Sequence, residues 1–361
     1  MRQLVAGARN LHRSLSWLDA ARDPPLDLGT RYLVEQIAAR LVSSNAEVTV
    51  VAAIDRSYAT VTNPLLPLVQ LSGAPPVGSE LATVVFLPRR EQLSGLLHPL
   101  IIHELAHAAN SQHQLVGGVL LAAAKDESLI RAHGEAATKH AEVYGGGMSA
   151  AIESLGDMLA AWVEEAVCDA FAAQLLGPTY LYAFMTIVGT ADLDAAGEKH
   201  PPTRQRIRLL LGQLDGLGWQ PLMANASEEI DSWFRVTAST APDYDEISAS
   251  FCVNAITSLA VEIRKVVSAH VGNLTFRATD FTEVRDEIHQ LLDAGIPPSQ
   301  TLEGKSIDRA AIILGSWLFA VAQAGSGLDA LPVAADVPEL SRLLPKALQD
   351  AAVLEAWTIK T

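Results

Sequence analysis

Cysteine is nearly absent. Only Cys168 and Cys252 occur among 361 residues, too few for a disulfide framework, so a reducing compartment is expected. Basic charge is also short: 26 Lys and Arg stand against 41 Asp and Glu, a net charge of −15. A nucleic-acid partner is not expected, because neutralising phosphates takes a surplus of cations. Long apolar runs are missing too. The most apolar window, AAIILGSWLFAVA at 310–322, falls short of the roughly 20 residues that span a bilayer and reads as a buried helix with Trp317 in the core. The N-terminal MRQLVAGARNLHRSLSWLDAARD scatters its charges at helical spacing and lacks the uninterrupted apolar segment of a signal peptide. Gly145–Gly147 lacks the Lys and Ser/Thr of a phosphate loop, and no nucleophile elbow occurs. These absences predict a cytoplasmic protein without membrane insertion.

What is present is a substantial core. Apolar residues make up 49% of the chain and charged residues 19%, the reverse of a disordered composition. Helical periodicity marks 1–22 and 28–43. EVTVVAAI (47–54) and ATVVFLP (82–88) are short, β-branched and bounded by Gly or Pro, as strands are. The proline-rich 63–80 between them reads as a loop. Helices are expected at 99–113, across most of 115–145, at 149–176 up to Gly177–Pro178, and again after Pro201–Pro202. Further helical patterns lie at 247–270, 281–293, 306–323 and 338–357. The expectation is an α+β, mainly helical fold in two parts. Residues 1–215 hold a helical segment 1–45, strands at about 47–88 in a small mixed or antiparallel sheet, and active-site helices over 99–176. Residues 220–361 form an all-helical C-terminal region.

The chemistry concentrates in IIHELAHAANSQH, residues 101–113. His103 and His107 stand four apart around Glu104. On a helix both imidazoles share one face and can reach one zinc ion, while Glu104 is placed to act as general base on a bound water. Ile101, Ile102, Leu105 and Ala106 are apolar, so three ionisable groups on this helix need a compensating partner. A catalytic zinc takes a third protein ligand, and two candidates compete. His113 completes the spacing H-E-x-x-H-x-x-G-x-x-H, with Asn110 where that pattern has its turning glycine and Met148 available as a methionine turn. Glu165 is the other. In VEEAVCDAFAAQLLGP it shares a helix face with Asp169, a spacing that suits one ligand carboxylate and one that orients a zinc-bound imidazole. Glu164 falls off that face toward solvent. His98, His133 and His140 read as surface or helix-end residues, and Cys168 as a small buried hydrophobe.

H-E-x-x-H followed by E-x-x-x-D resembles the gluzincin zinc peptidases. KHPPTRQRIRLL, from Lys199, is similar to the H-P-P-x-x-x-R-I segment of HtpX-type and CAAX-prenyl-protease-type peptidases. The resemblance covers about 103–207. It implies a zincin-like catalytic core with zinc held by His103, His107 and Glu165, Glu104 as base and Asp169 supporting a ligand. It also implies His200 near the substrate oxyanion and Arg206 organising the acidic residues. The membrane-spanning helices of that group are absent, and a helical segment separates His107 from Glu165. DAFAAQLLGP, from Asp169, also resembles the ImmA/IrrE-type regulatory peptidases, which cut repressor proteins. The expected activity is zinc-dependent endopeptidase hydrolysis of a protein or peptide substrate, its strand pairing with an exposed edge strand at 82–88. Two alternatives stand beside it: a regulatory peptidase acting on a repressor or antitoxin, and a non-catalytic scaffold that binds a protein partner through the helical C-terminal region.

Overall fold

A computed structural model describes residues 26–43, 47–53, 58–62, 82–91, 94–189, 193–236, 246–325 and 330–358. The helix expected over 1–22 and the loop expected over 63–80 lie outside these. The fold is mainly helical α+β with one small mixed sheet. Contacts divide the chain into two compact units: residues 1–113, 284–320 and 335–361 in one, 114–283 and 321–334 in the other. Among the described residues no single helix is long and apolar enough to cross a membrane.

In the first unit, helix α1 (Leu28–Ile37) begins where Asp27 accepts from the Thr30 amide at 2.9 Å and from the Thr30 hydroxyl at 2.6 Å, an N-cap that satisfies an orphan helix donor. Its face packs on helix Pro338–Thr358. Gly29 is required there, because a Cβ would overlap the backbone of Leu348 and Gln349. The sheet comprises β1 (Glu47–Ala53), β2 (Ala59–Thr62) and β3 (Ala82–Pro88), in the order β1-β3-β2, with β1 parallel and β2 antiparallel to β3. The strand expected to be an edge, 82–88, is instead central, and its buried apolar run Val84–Leu87 is what burial on both faces demands. The short ATVT of β2 escaped the sequence reading.

Strand alternation sorts the two faces. Val51, Val84 and Phe86 cluster with Ala59 and Val61. Thr60, one residue out of phase and paired with Val85, looks the other way, toward helix α2 (Pro99–His113), which packs on β2 and β3. Helix α2 is buried over nearly its whole first three turns, from Pro99 to Ala106 and again at Ala108 and Ala109. Pro99 starts it where no amide is needed. Trp317 is fully buried in helix Arg309–Ala324, as expected, and donates to the Leu96 carbonyl at 2.9 Å. His98, expected at the surface or at a helix end, stands at the helix end, immediately before α2, and is buried there with its Nδ1 3.2 Å from the Thr30 hydroxyl.

The second unit is helical throughout its described residues. It opens with α3 (Leu115–Ala123), α4 (Glu127–Tyr144), α5 (Met148–Leu176), α6 (Pro178–Val188) and α7 (Thr203–Gly216). Helix α5 is the spine, packing against α3, α4, α7 and the helices Glu246–Ser258 and Ala260–Val271. The last two were expected as one helix, and they bend by 54° at Leu259. The stop that the sequence places at Gly177–Pro178 ends α5, and α6 follows it directly. Gly177 turns the chain at φ +59°, and Pro178 then opens a new helix, since proline suits a first helical position.

Candidate metal centre

Helix α2 brings His103 and His107 onto one face, their rings edge to face with centroids 5.1 Å apart. His103 and Glu104 are buried and His107 is half-buried. Helix α5 carries Glu165 and Asp169, both buried. Ligand atoms of His103, His107 and Glu165 all lie within 4.8 Å of one another. Two imidazoles and one carboxylate form a donor set that fits a divalent metal taking nitrogen and oxygen ligands. No other group of three or more such side chains is brought together among the described residues. His113, the rival third ligand, lies at the end of α2 with Nε2 2.8 Å from the Val42 carbonyl. Asn110 sits within an unbroken helix rather than at a turn, and Met148 is exposed at the start of α5.

A cation anchors the acidic face of α5. Arg206, on α7, reaches Glu165 Oε2 at 3.1 Å through Nη1 and grips Asp169 with Nε at 2.9 Å and Nη2 at 2.7 Å. The fork geometry is one that guanidinium offers and ammonium does not. Burial opposes its charge, but Asp169 and Glu165 outweigh that penalty and push its pKa well above the ordinary value. Its guanidinium also lies 4.6 Å from the centroid of the Phe184 ring. Tyr180, on α6, donates to Asp169 Oδ1 at 2.5 Å. Burial and the Asp169 charge raise the Tyr180 pKa far above its usual range, so this phenol stays a donor. His200, whose side chain is 66% exposed, sets Nδ1 3.5 Å from Glu165 Oε1. Helix α7 begins immediately after Pro201–Pro202, which is how the KHPPTRQRI segment delivers both His200 and Arg206 to Glu165.

Two residues of the site were not legible in the sequence. Tyr180 follows a Gly–Pro pair and carries no spacing signal relative to Asp169. Thr60 lies in β2 with its hydroxyl 2.8 Å from Glu104 Oε2 and 2.8 Å from the Glu104 carbonyl. The one available hint was physical: a buried carboxylate such as Glu104 needs a donor, and α2 supplies apolar neighbours. Cys168 is buried on α5, as expected of a small hydrophobe. Set against known protein families, curated proteins and solved structures, the chain finds no match in any of the three.

Proposed function

We propose that the protein is a zinc-dependent endopeptidase, with His103, His107 and Glu165 as zinc ligands and Glu104 as general base. The observation that carries this reading is the cluster itself: an H-E-x-x-H helix and a carboxylate from a separate helix offer three ligand atoms within 4.8 Å. Bound zinc would supply an electrophile for the scissile carbonyl and make a water acidic enough to attack near neutral pH. Glu104 takes the proton of the attacking water and delivers it to the departing amine. Arg206 holds Glu165 and Asp169 in place, and His200 stands at the exposed side of Glu165, suited to hold a developing oxyanion. The substrate strand adds to the outer edge of β2, which pairs only with β3 among the described residues.

The test combines metal analysis of purified protein with proteolysis of a broad peptide library by wild-type and Glu104→Gln protein. The expected result is about one zinc per chain in both, with activity reduced roughly 100-fold or more in the variant. Native protein without stoichiometric metal would overturn the reading. Metal in both proteins with no activity in either would favour the non-catalytic scaffold.

A further inference from the structure

We infer that Thr60 is the positioning residue of the general base, holding the Glu104 carboxylate by Oε2 and leaving Oε1 for proton transfer. The inference rests on the peptidase reading for the word base, but its geometry stands on its own. Glu104 is buried on α2, and Thr60 Oγ1 lies 2.8 Å both from its Oε2 and from its main-chain oxygen. A threonine hydroxyl has one proton to give. The main-chain oxygen of a residue in mid-helix already accepts from the amide four residues on, whereas a carboxylate is the stronger acceptor and gains more from a donor. The proton therefore goes to Oε2.

The fold makes this contact exact in register. Thr60 pairs with Val85, while Ala59 and Val61 face the cluster of Val51, Val84 and Phe86. A one-residue slip would turn Thr60 into that apolar cluster and carry its hydroxyl away from α2. The β-branched side chain has few rotamers on a strand, so the hydroxyl direction is set once the register is set. Because β2 is also an outer strand, a peptide lying along it would be in register with the base that acts on it. Substrate alignment and base alignment thus share one short strand.

Thr60→Val keeps the shape and removes the donor; Thr60→Ser keeps the donor. Each is compared with wild type for steady-state proteolysis, zinc content and the carboxyl resonance of Glu104 in protein carrying 13C-labelled glutamate, assigned by its loss in Glu104→Gln. Thr60→Val is expected to lower kcat by about 10- to 100-fold, the worth of one hydrogen bond to a charged group. KM and zinc content should stay unchanged, the resonance should move, and Thr60→Ser should restore both kcat and the resonance. An unmoved resonance with wild-type kcat in Thr60→Val would overturn the inference. So would zinc loss in that variant, or an equal loss of kcat in Thr60→Ser, since either marks a merely structural role. If wild-type protein proves inactive, the peptidase reading fails by itself. The resonance then decides alone whether Thr60 positions the carboxylate: movement in Thr60→Val with return in Thr60→Ser supports it, and no movement overturns it.

Discussion

Arg206 stands between two buried carboxylates, and its removal would take away the guanidinium that bridges them. Its Nη1 reaches Glu165 while Nε and Nη2 grip Asp169, and a broken buried pair typically costs about 3–5 kcal/mol. Arg206→Met is therefore expected to lower the melting temperature by several degrees, measured by calorimetry. Arg206→Lys should recover only part of the loss, because an ammonium cannot reproduce the fork. A second residue-scale effect concerns alkaline pH. Burial, with the charge of Glu229, raises the Tyr182 pKa to about 12. The folded state then keeps a proton that the unfolded chain loses above about pH 10. The stability associated with this phenol is complete below pH 10 and falls as pH rises toward 12. At pH 11 the loss is about 1.4 kcal/mol. Urea melts at pH 9 and pH 11 should show Tyr182→Phe losing less stability between them than wild type, by about that amount. Tyr180, raised in the same direction, adds to the loss in both proteins.

At the scale of elements, each motif helix was legible because its signals are local. The stretch 99–113 starts at a proline and carries its histidines at helical spacing, and it forms one helix over that range. The long α5 and the Pro201–Pro202 start of α7 were equally plain. What was missed depended on context. ATVT is too short to declare itself a strand, and its pairing with β3 is what makes 82–88 central rather than an edge. Helix α6 hid behind Gly177–Pro178, a pair that ends one helix and opens another. Gly177 carries a prediction here. It turns at φ +59°, and an added Cβ would meet the Trp219 ring at 2.8 Å. Gly177→Ala combines backbone strain with a clash in a packed core and should destabilise by about 2 kcal/mol or more, read from urea unfolding. The same substitution at Gly134, where nothing lies within 4 Å, should stabilise slightly through helix propensity.

At the scale of the whole molecule, the chemistry-bearing residues were readable before their neighbours were. The class, mainly helical α+β, follows from the periodicities. The grouping of elements into contact units does not: residues 284–320 and 335–361 cluster with 1–113, and α1 packs on Pro338–Thr358 from the far end of the chain. No local pattern encodes such distant pairing. The third ligand was open for the same reason, since Glu165 comes from a distant helix and His113 from α2 itself. His103, His107 and Glu165 are the residues whose ligand atoms cluster, and His113 reaches the Val42 carbonyl. The most direct measurement is the zinc content and zinc affinity of purified wild type, Glu165→Gln and His113→Ala. The expected result is about one tightly held zinc in wild type and His113→Ala and a loss of affinity of 10-fold or more in Glu165→Gln. Zinc retained by Glu165→Gln and lost by His113→Ala would contradict a site built from His103, His107 and Glu165.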